Sequence, residues 1–253
     1  MLAASSQRDR LVALVVLVTI SGACWAWLGK MLWNMSAMPI SGSSMPMPMQ
    51  DLGYLAWLVF MWLLMMAAMM LPSAVPMTLV YADFAAGKER RPVTRSIMAF
   101  VAGYLAAWSV FSLIAAVGQW ALERAAVMSP MSMALKGEAV AGCVMIAAGL
   151  YQWTPLKHVC LRKCRTPIGF LMTEWRDGPA GAVRMGWNHG LFCVGCCWAL
   201  MALLFVAGVM NPLWIIGLTL FVIIEKVAPF GDLISKVAGG ALVVAGAWLL
   251  LFA

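Results

Sequence analysis

Residues Trp187 to Met210, WNHGLFCVGCCWALMALLFVAGVM, form an apolar run long enough to cross a bilayer, yet it contains one imidazole and three thiols. At about 100° per residue, positions i, i+4 and i+7 of a helix share a face. His189, Cys193 and Cys196 have that spacing, and Cys197 borders the same stripe. Nitrogen and thiolate ligands of this kind suit Cu(I) first and Zn second. A histidine within lipid is costly without a partner, so the stripe is the first candidate metal site.

Sulfur recurs in three other places. Met61, Met65 and Met69 follow one another at i, i+4 and i+8, with Met66 and Met70 beside them. Pro72 and Pro76 then each remove a backbone hydrogen bond. The freed carbonyls, near Ala68 and Pro72, must meet a neighbouring helix, water or an ion. Interrupted membrane helices often mark binding sites, although methionine also fills irregular packing in a kinked helix. Next, QWTPLKHVCLRKCRTP sets Cys160 and Cys164 four apart among Lys157, Arg162, Lys163 and Arg165. On a short helix both thiols face one way, and such surroundings suit metal binding or thiol exchange. A basic helix lying against anionic lipid is the alternative reading. Finally, Met45, Met47 and Met49 lie in a Pro/Ser/Gly-rich stretch that also holds Met35 and Met38, and Met128, Met131 and Met133 form a second such group. Thioethers in polar loops suit capture of Cu(I).

The elements that position these groups are membrane helices. Of 253 residues, 64% are hydrophobic and 11% charged. A soluble domain is about half apolar and about a quarter charged. The composition therefore predicts an all-α, polytopic bundle in a single membrane-embedded domain, and the unbroken apolar runs argue against a β-barrel. Seven spans are expected, near 11–29, 54–80, 96–119, 138–154, 189–210, 213–227 and 237–252, the last two short enough for a reentrant pair. Lys88, Arg90, Arg91 and Arg95 gather in one loop, and six basic residues between 155 and 188 in another. The positive-inside rule then sets the N-terminus in the cytoplasm. The first apolar run is read as a retained helix, because no small-residue cleavage site follows it.

The net charge of +7 is explained by these loops, so nucleic acid is not an expected partner. Seven cysteines form no disulfide framework. Cys143 reads as a packed small hydrophobe. In the third run Gly103 and Ala107 suit a close helix contact, as do Ala141, Gly142, Ala148 and Gly149 in the fourth. Glu225 and Lys226 sit at the end of the sixth run. Lys226 is expected to snorkel to the interface. Glu225 is expected to orient His189, to ligate metal, or to pair with Lys226 or Arg184.

The runs MWLLMMAAMMLPSAVPM, GLYQWTPLKHVCLRKCRTP, MGWNHGLFCVGCCWALM and GVMNPLW, with the Glu225–Lys226 pair, resemble a bacterial family of predicted metal-binding integral membrane proteins. That resemblance covers most of residues 61–228. It implies a metal-binding membrane protein with His189, Cys193, Cys196, Cys197 and Glu225 as candidate ligands. It implies no reaction.

The expected function is Cu(I) binding with transport or delivery. Thioethers hand the ion to thiolates, which bind Cu(I) more tightly. The expected partners are the bilayer, the ion, a metal chaperone on either side and a second copy of the chain. A membrane metallo- or thiol-oxidoreductase is the alternative from another class, but the chain has only two histidines. A structural subunit with packed cysteines is the third.

Overall fold

The computed structural model describes residues 2–37, 52–88, 93–129 and 132–252. Helix α1 (Leu2–Ala37) is followed by α2 (Leu52–Lys88) and α3 (Thr94–Arg124). A two-stranded antiparallel ribbon comes next, β1 (Met128–Ser129) with β2 (Ala134–Leu135). Then come α4 (Glu138–Tyr151), α5 (Pro155–Arg165), α6 (Pro167–Glu174), α7 (Gly178–Ala207), α8 (Pro212–Val227) and α9 (Gly231–Phe252). Met45, Met47 and Met49, with Met38 and Met131, lie outside the described residues.

All seven expected runs fall on helices. Five stretches are long and apolar enough to cross a membrane: Gln7–Asn34, α2, α3, α7 and α9. A sixth is present only if α4 and α5, bent by 63° across a short break, count as one broken span. Helix α8, with 16 residues, is shorter than the ~20 needed to span. Among the described residues, five helices, or six with the bent pair, are thus long and apolar enough to span, against the seven spans expected. The difference lies in α4 and α8, which have 14 and 16 residues. Tyr151, the last residue of α4, donates its hydroxyl hydrogen to the carbonyl of Gly195, midway along α7.

Local sequence accounts for these stops. Thr154 caps α5 by accepting from the Lys157 amide, and Pro155 takes the first helical turn, where no N–H is needed. Gly208, at φ +95°, ends α7. A side chain there would meet the Ser132 carbonyl at 2.8 Å. Asn211 then caps α8 through the Leu213 amide at 3.1 Å, with Pro212 following.

Helices approach where small residues permit it. A Cβ on Gly186 would stand 1.9 Å from the Phe100 carbonyl, and one on Gly103 2.1 Å from the Val183 carbonyl, so α3 and α7 pack backbone to backbone. A Cβ on Gly190 would lie 2.6 Å from the Ala107 side chain. Gly142 and Gly149 of α4 meet Gly246 and Gly239 of α9 in the same manner. Cys143 does not pack inward as expected: it is exposed, because α4 turns its glycine face to α9.

Candidate metal site

The site begins at the proline in α2. Pro72 has no N–H, which leaves the Ala68 carbonyl free. Helix α1 fills that need: Ser21 Oγ and Trp25 Nε1 donate to it at 3.2 and 3.0 Å. Of the partners foreseen, a neighbouring helix is the one found. Two residues on, the Met70 carbonyl accepts from Ser73 Oγ at 2.8 Å and from Tyr104 Oη at 3.0 Å. The turn around Pro72 thus gathers polar atoms where α2 faces α3 and α8.

Cys193 stands opposite. Its Sγ lies 3.1 Å from Tyr104 Oη and accepts from Lys226 Nζ at 2.9 Å. The same ammonium donates to Ser73 Oγ at 2.9 Å. Lys226 therefore does not snorkel outward. It is buried, and among the described residues no carboxylate pairs with it, so its hydrogens go to the Cys193 sulfur and the Ser73 hydroxyl.

The other thiols surround this point. Cys196 and Cys197 donate to the Cys193 carbonyl at 3.1 and 2.9 Å, bonding back along their own helix. Cys164, from α5, interacts with the thiols of both Cys193 and Cys196. Cys160 packs beside Gly195, where a Cβ would sit 2.8 Å from its sulfur. The two α5 cysteines thus join the α7 stripe rather than forming a separate pair. All five are buried, with Cys193, Cys196 and Cys197 fully so. Met65, Met66, Met69 and Met70 are fully buried in the same apolar cluster.

His189 shares the stripe but not the sulfur contacts. Its ring stacks near Tyr104 and Phe100, at 5.7 and 6.1 Å between centroids, with Phe170 edge-on at 5.7 Å. Its Nδ1 is buried and has no hydrogen-bond partner. Glu225 is not beside His189, Lys226 or Arg184. It pairs with Lys157 of α5 at 2.6 Å, both side chains fully buried, and among the described residues neither side chain has another polar partner. The pair draws α5 onto α8, next to the Arg165 guanidinium on the Ala228 and Pro229 carbonyls.

As the thiols stand, no group of three or more His, Cys, Asp or Glu side chains among the described residues is set for metal coordination. The donor set still suits a soft ion. Two thiols spend their hydrogens on one carbonyl, which leaves the sulfur lone pairs of both free to meet a soft ion. Lys226, Tyr104, Ser73 and Lys157 were not singled out as site residues. For Lys226, Tyr104 and Ser73 the one signal is a polar group inside an apolar helix, as with Ser73 directly after Pro72; Lys157 lies on the basic α5.

The class that the fold defines is an all-helical bundle with buried thiols and thioethers in its core. The sequence matches the PpoB2 family, described as copper chaperone, over residues 59–249, and the chain belongs to that family. The match takes in every candidate ligand except Met45, Met47 and Met49. No curated protein and no solved structure shows significant similarity to the chain.

Proposed function

We propose that this protein is a multi-pass inner-membrane carrier of Cu(I), a single membrane domain with its N-terminus in the cytoplasm, and that its cargo rests on the thiols around Cys193. One observation carries the reading: cysteines from two separate helices, α5 and α7, meet at one buried point. Membership of a copper chaperone family supports copper as the metal.

On this reading Met45, Met47 and Met49 collect the ion at the outer face. Met65, Met66, Met69 and Met70 pass it along α2, and Cys193 receives it with Cys164 and either Cys196 or Cys197. The order from thioether to thiolate follows rising affinity for Cu(I). Cys160 stands next to the site for onward transfer. His189 offers its unpartnered Nδ1 as a further ligand or as the group that a coordinated sulfur approaches. Lys226 neutralises charge at Cys193 while the site is without cargo. Loading replaces thiol protons, so it releases protons and weakens as pH falls.

X-ray absorption of the Cu(I)-loaded protein in detergent tests this. The expected first shell is sulfur alone or sulfur with one nitrogen, and Cys164→Ser removes one sulfur. An oxygen-dominated shell, or one untouched by Cys164→Ser, contradicts the assignment. Copper entry into vesicles, with and without residues 35–49, tests capture by the methionine loop.

A further inference from the structure

The corner between α5 and α6 holds a cavity of about 270 Å³, lined by Val159, Arg162, Lys163, Thr166, Gly169 and Phe170. We infer that this corner seats the headgroup of an anionic phospholipid. The inference rests on the membrane placement proposed above, but not on the metal.

Helix α5 has two faces. Lys157, Cys160, Leu161 and Cys164 are buried against α7 and α8. The opposite face presents Leu156, Val159 and Arg162 to the surroundings, and α6 continues it with Ile168 and Met172, the latter 74% exposed. Apolar and cationic side chains on one outward face are the pattern of a helix lying in the bilayer interface. The charges within the pocket are uncommitted. Among the described residues neither Arg162 nor Lys163 pairs with a carboxylate, whereas Arg165 nearby is used on the Ala228 and Pro229 carbonyls.

Two free cations select a phosphate that has no amine of its own, as in phosphatidylglycerol, over the zwitterionic phosphatidylcholine headgroup. The apolar collar of Leu156, Val159, Ile168 and Met172 gives the acyl chains a surface. A free anion has no use for that collar. The seat lies on the back of the helix that carries Cys160 and Cys164, so a bound lipid holds those thiols against α7.

The test uses the full chain in nanodiscs of phosphatidylcholine, alone or with about a third phosphatidylglycerol, followed by release into the gas phase and counting of retained lipids. The expected result is retained phosphatidylglycerol, with its preference over phosphatidylcholine cut about thirtyfold in Arg162→Gln/Lys163→Gln. Arg176→Gln, on an exposed residue outside the pocket, leaves the preference unchanged. Equal retention by wild type and the double variant overturns the seat. So does loss of the lipid to millimolar inorganic phosphate, which identifies a free-anion site. Alkaline carbonate extraction separates the two claims. A chain that stays in the membrane without lipid preference defeats only the seat, and a chain that leaves the membrane defeats the placement beneath it.

Discussion

Helices α2 and α3 carry a buried polar cluster toward each end, and the two are built differently. Toward the start of α2, Tyr54 Oη and Gln119 Nε2 each donate to one oxygen of Glu123 at 2.8 Å, and Trp62 Nε1 donates to Gln119 Oε1 at 2.8 Å. Every atom in that chain of bonds has its complement, and the carboxylate needs no cation. Around Cys193 the account does not close. An ammonium rests on a sulfur, two thiols crowd one carbonyl, and the His189 Nδ1 has no partner. A closed network rigidifies a core, whereas an open one with soft donors can take up a cation. Under the function proposed above, the first cluster is structural and the second takes the cargo.

The contrast can be broken at several points. The largest effect is expected where charge is most deeply buried. Lys157→Met leaves Glu225 alone in the interior and should cost about 3–5 kcal/mol, read as a lower denaturation midpoint in detergent. Lys157→Met/Glu225→Leu should recover most of that loss. A single variant as stable as wild type would show that the pair does not hold α5 to α8. Next comes Gly186→Ala, which drives a methyl group into the Phe100 carbonyl and should cost about 1–3 kcal/mol. Because α7 must shift, copper retention should fall too. Gly118→Ala, with open space around it, should change neither quantity.

Glu123→Gln disturbs the closed network and should cost about 1–2 kcal/mol of stability. Copper content should stay the same, and a variant that loses copper would erase the distinction between the clusters. The smallest effect is expected for Tyr104→Phe, about 0.5–1.5 kcal/mol, since one hydrogen bond to the Met70 carbonyl is lost. Its copper affinity should drop only slightly, because a neighbour of Cys193 is removed and no sulfur is.

Features local to one helix were legible in the sequence. The spacing of His189, Cys193, Cys196 and Cys197 put them on one buried stripe, and Pro72 announced a free carbonyl at Ala68 that α1 supplies with donors. Gly103 and Gly142 marked close helix contacts. Features that depend on two distant segments were not legible. Lys226 reaches Ser73, 153 positions away, and Glu225 takes Lys157 because α5 folds back beneath α8. Nothing in either sequence segment alone specifies that return. The lengths of the helices were not legible for a related reason: an apolar run states that a segment avoids water, but not where its helix stops. Here α4 ends level with the middle of α7.

The central claim is that copper sits on sulfurs contributed by both α5 and α7. Its most direct test is the copper content per chain of purified protein after anaerobic Cu(I) loading, compared among wild type, Cys193→Ser, Cys164→Ser and Glu123→Gln. One tightly held ion in wild type and Glu123→Gln, lost from both serine variants, is the predicted result. A full complement of copper in Cys193→Ser and Cys164→Ser would contradict it.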